Sequence, residues 1–354
     1  MIASVACLVM GCAAVVSCGG KVHGAADNAS DAGDGAVTLV PCPARCRFTV
    51  PVSDFFPGVS PSALLSASLT KLGQLAVQDS VIYFIVNVDY STVVPTSLLN
   101  GIRRLALGGT VESAVSTPNP VALALTPTRI VFTDDGPSVT AGVYVAPIDG
   151  GAATLIAPTS PPTALHVATD GVEAFFADTE GTKAVPLAGG DVRTLTSVTG
   201  DIGLAGSSVL VADLDGGAIW EVPSSAVAAP TALASNQSHP ASPVACGTSV
   251  CWVNDVPEGC DSGASSAEVI ELPPGATPTV LISRCTSPSY PAASVISDGV
   301  DVFFVGAGLV FAAPIGGGDV VPIGSDFVFW AAVDSCCVHQ SDPTGIVGTP
   351  KPDQ

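Results

Sequence analysis

The stretch Arg129–Asp135, RIVFTDD, is a short apolar strand with an aromatic residue that ends in two acidic residues. Related segments recur along most of the chain, each ending near an aromatic residue and then an acidic or turn residue. The six intervals between Tyr83 and His339 give a mean period of about 43 residues, within the ~40–50 residues of a repeat made of four short strands. The seven copies are VIYF at Val81–Phe84, RIVFTDD at Arg129–Asp135, EAFFAD at Glu173–Asp178, VLVAD at Val209–Asp213, VCWVND at Val250–Asp255, VFFV at Val302–Val305 and CVHQSD at Cys337–Asp342.

The order of segments within one repeat predicts the blade of a β-propeller. The repeat that begins at residue 162 contains four short apolar runs separated by Gly–Gly and Asp–Gly pairs, which supply the positive φ that tight hairpins require. We therefore expect an all-β fold, a single propeller of seven four-stranded blades. Six blades is the alternative if the copy at Val209 or at His339 is not a true blade. The four runs are Ala164–Ala168, Glu173–Ala177, Lys183–Leu187 and Val192–Leu195.

The last repeat is incomplete, because the chain ends at Gln354 without a fourth strand. A segment that looks like a fourth strand, Ser62–Ala67, precedes the first copy. A propeller leaves no exposed edge when an N-terminal strand completes the last blade, so we expect Ser62–Ala67 to close the ring. The predicted organisation is a signal peptide at 1–17, a flexible tether at 18–36, a cysteine-containing segment at 37–61 and the propeller at 62–354.

The amino terminus predicts export. Residues 2–17 form an apolar stretch too short to span a bilayer. The stretch ends in Val15–Gly19, VVSCG, which resembles the lipobox of bacterial lipoproteins and would place the lipid on Cys18. No Lys or Arg precedes the stretch, and Cys12 is a poorer second candidate. We expect lipid anchoring in a bacterial cell envelope, with secretion or an intracellular location as alternatives.

The motifs resemble those of bacterial β-propeller lipoproteins and, within single repeats, YWTD propellers. Ile130–Asp134 followed by Val143–Gly151 is the best copy, and Phe176–Asp178 with Pro186–Gly190 is another. No copy has the full Tyr-Trp-Thr-Asp motif, and YWTD propellers usually have six blades. Over residues 62–350 the resemblance implies a propeller fold and a binding scaffold, and it implies nothing about a substrate.

Eight cysteines follow Cys18, and an even number in an exported protein suggests disulfides. Cys246 can pair with Cys251 across a turn, and Cys260 with Cys285 across a long loop. Cys42 and Cys46 can pair with each other or reach the last repeat. A zinc site at Cys42 and Cys46 is the alternative, but their spacing is not that of a typical zinc motif. The candidate disulfide cysteines are Cys42, Cys46, Cys246, Cys251, Cys260, Cys285, Cys336 and Cys337.

The charge balance argues against nucleic acid as a partner. The chain has 31 acidic and 11 basic residues and a net charge of −20. Only Arg103 and Arg104 are adjacent basic residues, whereas phosphate binding needs clustered Lys and Arg.

Acidic residues follow the second strand of most repeats. A ring of carboxylates at one face could hold Ca²⁺. The simpler interpretation is that each Asp accepts backbone N–H bonds in its own turn. These residues are Asp134, Asp135, Asp178, Asp213, Asp215, Asp255 and Asp342.

The remaining candidates carry no catalytic pattern. The four histidines lie in no metal-binding motif, and no G-x-S-x-G elbow occurs. The glycine runs Gly150–Gly151 and Gly316–Asp319 lie at hairpin positions. We predict neither catalytic residues nor cofactor or metal sites. The histidines are His23, His166, His239 and His339, and the predicted core aromatics are Phe175, Phe176, Trp252, Phe303 and Phe304.

The leading hypothesis is a non-enzymatic, envelope-anchored monomer that binds a protein or a glycan and meets the membrane through its lipid only. The first alternative is a calcium-dependent hydrolase or lyase acting on sugars or lactones. The second is a structural lipoprotein without a tight ligand. Insertions at 86–103 and 258–267 lengthen two loops between second and third strands, and we take these loops as candidate binding surfaces.

Overall fold

The computed structural model describes residues 46–51, 54, 70–88, 100–136, 139–159, 166–225, 229–257, 260, 266–285, 294–306, 308–324, 328, 330–342 and 345–352. Within these residues the chain forms 28 β-strands arranged in seven four-stranded antiparallel sheets. These sheets are the blades of a β-propeller, as the repeat period predicts.

In blades 1 to 6 the strands follow one another from the inside to the outside in chain order. Blade 1 comprises β2 (Thr70–Gln78), β3 (Val81–Val88), β4 (Gly101–Ala106) and β5 (Val111–Ser116). Blade 2 comprises β6 (Pro120–Leu125), β7 (Arg129–Asp134), β8 (Gly142–Pro147) and β9 (Thr154–Pro158). Blade 3 comprises β10 (Val167–Thr169), β11 (Glu173–Asp178), β12 (Gly181–Pro186) and β13 (Arg193–Thr196).

Blades 4 to 6 repeat this arrangement, and blade 7 departs from it. Blade 4 comprises β14 (Asp201–Ala205), β15 (Ser208–Asp213), β16 (Ala218–Pro223) and β17 (Thr231–Ala234). Blade 5 comprises β18 (Pro240–Cys246), β19 (Ser249–Val256), β20 (Ser266–Leu272) and β21 (Thr279–Cys285). Blade 6 comprises β22 (Ser294–Ser297), β23 (Asp301–Gly306), β24 (Leu309–Pro314) and β25 (Val321–Ile323). Blade 7 comprises β26 (Trp330–Val333), β27 (Cys337–Asp342), β28 (Gly345–Pro350) and the N-terminal strand β1 (Phe48–Pro51).

The first strands of the blades form a closed ring. Each first strand contacts the first strands of the two neighbouring blades, and β26 of blade 7 contacts β2 of blade 1. The first strands therefore surround the central channel, and the fourth strands lie at the outer rim.

The second strand of each blade lies between two neighbouring blades, so both of its faces are covered. This explains why the seven sequence copies are continuous apolar runs rather than alternating ones. One core cluster, for example, joins Tyr83 and Ile85 of blade 1 to Leu123, Ile130 and Phe132 of blade 2. The aromatic residues predicted to form the core are fully buried: Phe175, Phe176, Trp252, Phe303 and Phe304.

The strand that closes the ring differs from the predicted one. An N-terminal strand does complete blade 7, but it is β1, which pairs antiparallel with β28. The predicted segment, Ser62–Ala67, lies outside the described residues. In β1, Phe48 and Val50 pack against the core while Thr49 and Pro51 are exposed, which is the alternation of an edge strand with one covered face. Blade 7 thus takes its outer strand from the segment assigned to residues 37–61.

Residues 1–45 also lie outside the described part of the chain, so the signal peptide, the tether and lipidation of Cys18 stay predictions. Among the described residues, no helix has the length and apolar character needed to cross a membrane.

Candidate functional site at the mouth of the central channel

The two faces of the propeller differ in which strand ends they carry. Because neighbouring strands are antiparallel, each first strand begins on the face where the second strand of its blade ends. We call this side the entry face. It carries the acidic residues that follow the second strands and the loops that lead into the first strands.

Three of these acidic residues are held by their own turns. Asp134 is fully buried, and its carboxylate accepts bonds from the Gly136 N–H at 2.7 Å, from the Asn119 N–H at 3.2 Å and from the Thr117 hydroxyl. Asp213 accepts from the Gly216 N–H at 2.8 Å.

Asp178 follows the same pattern with an added charge partner. It accepts from the Glu180 N–H at 2.9 Å, and the Lys183 ammonium lies 2.7 Å from its other oxygen. These contacts agree with the interpretation that each Asp stabilises its own turn, and they do not bring the three carboxylates together.

Among the described residues, the other acidic residues of this set do not form a cluster that could hold a metal ion either. The exposed Asp135 accepts a bond from the Asn119 side chain, and Asp215 is exposed. One oxygen of Asp255 is buried and has no hydrogen-bond partner among the described residues. The side chain of Asp342 lies outside the described part of the chain.

A histidine and an aspartate meet across the junction between blades 3 and 4. His166 directly precedes β10, and Asp201 is the first residue of β14, so both lie at the beginning of a first strand. The His166 Nε2 is 2.8 Å from the Asp201 Oδ1, and the two side chains keep 34% and 27% of their surface exposed. The pair is therefore anchored at the channel mouth and still open to solvent.

The environment of Asp201 favours its ionised form. Burial acts to raise its pKa, but the hydrogen bond and charge attraction of His166, together with the Ser242 N–H, outweigh burial and lower the pKa. The carboxylate can then orient the imidazole as a fixed acceptor.

The polar contacts continue into blades 5 and 6. The second oxygen of Asp201 accepts from the Ser242 N–H at 3.0 Å. The Ser242 hydroxyl donates to the Val295 carbonyl at 3.4 Å and accepts from the Val295 N–H at 3.2 Å. His166, Asp201 and Ser242, with the backbone of Val295, thus form a line across four consecutive first strands, which we call the channel-mouth line.

The backbone near this line is strained. Three non-glycine residues within seven positions have positive φ: Asn236 at 58°, His239 at 44° and Ser242 at 50°. Such conformations cost about 1–3 kcal/mol each and concentrate at functional sites. The pairing register between β18 and β19 also shifts between Ala241 and Val244, which is a bulge that redirects the Ser242 backbone toward Asp201.

The chemistry of the line suits hydrogen bonding better than nucleophilic catalysis. If the His166 Nε2–H donates to Asp201, Nδ1 is left as an acceptor for a ligand. Both hydrogen-bonding roles of the Ser242 hydroxyl are taken by Val295, so it is no free nucleophile. Within the described ranges, no Lys or Arg forms an ion pair with Asp201.

This pair was not predicted from the sequence. His166 was interpreted as an isolated histidine, and Asp201 was not among the candidate residues. The signal was available in the repeat register, since both residues stand at the start of a first strand in adjacent blades. His239 is exposed in the loop before β18, His339 is fully buried, and His23 lies outside the described residues.

Three disulfides cross-link the described part of the chain. Cys246 is bonded to Cys251 and Cys260 to Cys285, the two local pairs expected from the sequence. Cys46, two residues before the closing strand β1, is bonded to Cys337. Cys336 is also disulfide-bonded, and Cys42 lies outside the described residues. Disulfides of this kind are typical of proteins that fold in an oxidising compartment.

Of the two loop insertions, 86–103 and 258–267, only a part is described. The Cys260–Cys285 bond ties the second insertion to the end of the outer strand β21. Most of both insertions lies outside the described residues, so their role as binding surfaces stays a prediction.

Comparisons with known proteins agree with the fold. No family model matches the chain, and no curated protein matches it by sequence. Its structure is similar to virginiamycin B lyase from Staphylococcus aureus, with 12% identity and a TM-score of 0.58 over 78% of this chain and 94% of the lyase. A catalytically inactive form of that lyase with quinupristin gives 10% identity and a TM-score of 0.57 over 86% and 98%.

A third similar structure is an extracellular domain. It belongs to the one-component system BT4673 from B. thetaiotaomicron, with 10% identity and a TM-score of 0.57 over 80% of this chain and 38% of that longer chain. At these identities the likeness establishes the β-propeller fold and does not transfer an activity.

Proposed function

We propose that this chain is an exported binding protein that holds a ligand at the mouth of its central channel. The observation that carries the proposal is the partly exposed His166–Asp201 pair, which is oriented across two blades beside a strained segment. Three disulfides support an extracytoplasmic location, and the lipobox-like sequence at Cys18 supports an envelope anchor.

The ligand that fits this site presents a hydrogen-bond donor to the imidazole. A hydroxyl of a glycan or a backbone N–H of a protein loop meets that requirement. The net charge of −20 favours a neutral or basic partner over an acidic one.

A lyase or hydrolase is the second candidate, and His166 as a base is the observation in its favour. The fold is compatible with it, since one structurally similar protein is a lyase. A calcium-dependent mechanism would need several converging oxygen ligands. Asp134, Asp178 and Asp213 are instead bound to their own turns. Binding is therefore the better-supported function.

The test is a capture experiment with the chain from residue 19 onward on beads, exposed to envelope extract and, separately, to a glycan array. We expect the wild type to retain a ligand and Asp201→Asn to retain at least about tenfold less of it. The reason is that the neutral Asn side chain no longer gives the imidazole an ionised partner. Asp135→Asn is the matched control, since Asp135 is an exposed carboxylate on the same face.

Two results would count against the proposal. Equal retention by Asp201→Asn and wild type would move the binding site away from the channel mouth. Capture of nothing above empty beads would favour the structural lipoprotein. For the enzyme, removal of calcium with a chelator should lower the melting temperature, and calcium should restore it.

A further inference from the structure

A second cluster of polar side chains lies where the N-terminal strand joins blade 7. His339 in β27 is fully buried, and its Nε2 is 3.1 Å from the Asp334 Oδ2. Cys337 stands two residues before His339 and shares its face of the strand. One donor atom each of Asp334, Cys337 and His339 lies within 4.8 Å of the others.

The disulfide decides whether this cluster can bind a metal ion. The Cys337 sulfur is bonded to Cys46, and a disulfide sulfur is a poor ligand compared with a thiolate. Reduction by a dithiol or a phosphine adds two electrons and two protons to the sulfur–sulfur bond and oxidises the reductant. It leaves two thiols next to a buried imidazole and a carboxylate.

We propose that, once this disulfide is reduced, Cys46, Cys337, His339 and Asp334 bind one Zn²⁺. The ion displaces the two thiol protons into solvent, and the metal then replaces the disulfide as the tie between the closing strand and blade 7. The site is structural and closed, because all four ligands come from the protein.

The donor set and the spacing fit zinc. Two thiolates, one imidazole and one carboxylate give the four-coordinate, mixed sulfur and nitrogen shell that zinc prefers. Bond lengths of about 2.3 Å to sulfur and about 2.0–2.1 Å to nitrogen place tetrahedral donors about 3.4–3.8 Å apart. The observed limit of 4.8 Å therefore requires an inward shift of about 1 Å.

Asp334 is already oriented for this role. Its Oδ1 accepts from the N–H groups of Cys336 and Cys337 at 2.8 and 2.7 Å. Those bonds hold the carboxylate in place while Oδ2 faces His339, so Oδ2 can turn to a metal without loss of the backbone contacts. Hydrogen bonds of this kind to a ligand group typically strengthen a metal site.

The experiment uses the chain from residue 19 onward, reduced with a phosphine under anaerobic conditions and titrated with Zn²⁺ and with Co²⁺ as a spectroscopic substitute. The oxidised chain should bind neither ion at this site. The reduced chain should bind one equivalent, and cobalt should show the visible absorption of a tetrahedral centre together with thiolate charge-transfer bands.

Control variants separate this site from the other reduced cysteines. Reduction also frees Cys336 and its partner, so the control replaces every cysteine outside the proposed site. The variant Cys42→Ser, Cys246→Ser, Cys251→Ser, Cys260→Ser, Cys285→Ser, Cys336→Ser should keep the cobalt spectrum. Cys46→Ser should lose part of the thiolate absorption, and His339→Gln should weaken binding at least about tenfold. If His339→Gln does not fold, Asp334→Asn gives the same test, because an Asn side chain can still accept the two backbone bonds.

The proposal is overturned if the variant without the other six cysteines loses the spectrum. It also fails if neither His339→Gln nor Asp334→Asn changes the affinity, or if the reduced chain is unfolded and zinc does not restore its circular dichroism.

Discussion

The ring of Phe48 in the closing strand packs against the imidazole of His339, with the ring centroids 5.8 Å apart. Phe48 also belongs to the partly buried residues that cover the core cluster between blades 7 and 1. The closing strand is therefore held by a side chain in the core as well as by its backbone pairing with β28. Four residues of pairing alone would be a weak closure for a seven-bladed ring.

We expect Phe48→Ala to lower the free energy of unfolding by about 2–3 kcal/mol, because it removes the larger of the two apolar side chains that β1 packs against the core. Thr49→Ala is the matched control. Thr49 is the exposed neighbour on the same strand, and its replacement should change stability by less than about 0.5 kcal/mol. Urea unfolding followed by tryptophan fluorescence measures both values. Equal effects of the two variants would mean that the side chains of β1 do not contribute to closure.

The disulfide pattern gives a direct chemical prediction. Peptide mapping under non-reducing conditions should find Cys46 linked to Cys337, a pair 291 positions apart, and should find the two local pairs of blade 5. Cys336 is also disulfide-bonded, and Cys42 is the remaining one of the eight cysteines. We therefore expect a peptide in which Cys42 is linked to Cys336. A Cys42–Cys46 peptide would contradict the closure described here.

Much of the architecture follows from the sequence because the repeat has a physical cause. A second strand that is covered on both faces must be apolar along its whole length, so each blade contributes one recognisable run such as Val302–Val305. Proline at the end of the third strand, as in Pro147 and Pro186, lacks the donor that would continue the ladder and marks the strand end.

The repeat pattern alone does not predict the position of the closing strand or the contact between His166 and Asp201. β1 has four residues, and its partner lies almost 300 positions away, so no local period identifies it. Asp201 approaches His166 only because two first strands lie side by side in the ring. A contact between blades depends on packing that a single repeat does not encode.

Glycine at the start of a third strand gives a further test of the blade geometry. Gly181 has φ of 137°, and a Cβ there would collide with the Thr196 carbonyl oxygen of the outer strand. Gly189 also has positive φ, at 83°, but a Cβ there would meet nothing within 4 Å.

We therefore expect Gly189→Ala to lower the free energy of unfolding by about 1 kcal/mol, which is the penalty for placing a Cβ on a backbone with positive φ. Gly181→Ala should cost at least about 1–3 kcal/mol more, because the outer strand has to move. Thermal unfolding of the two variants side by side measures the difference. Equal melting temperatures would show that β13 can shift without loss of packing.

Stability should fall in acid, and Asp334 should carry a part of that dependence. Burial acts to raise the pKa of Asp334, but the hydrogen bond and charge of His339 and the N–H groups of Cys336 and Cys337 outweigh it and lower the pKa well below 3.8. A carboxyl whose pKa is lowered in the folded state stabilises the fold at pH values above its pKa in the unfolded chain. That contribution to stability is lost as the pH falls below about 4 toward the pKa that Asp334 has in the folded state.

Asp334→Asn removes the titrating group while its side chain can still accept the backbone bonds. It should therefore be less stable than the wild type at pH 7, and the difference should shrink as the pH falls below about 4. One such group changes the slope of unfolding free energy against pH by at most about 1.4 kcal/mol per pH unit. Urea unfolding at a series of pH values measures the slope, and Asp215→Asn, an exposed carboxylate, serves as the control. A constant difference between wild type and Asp334→Asn from pH 7 to pH 2 would show that Asp334 acts through its backbone contacts and not through its charge.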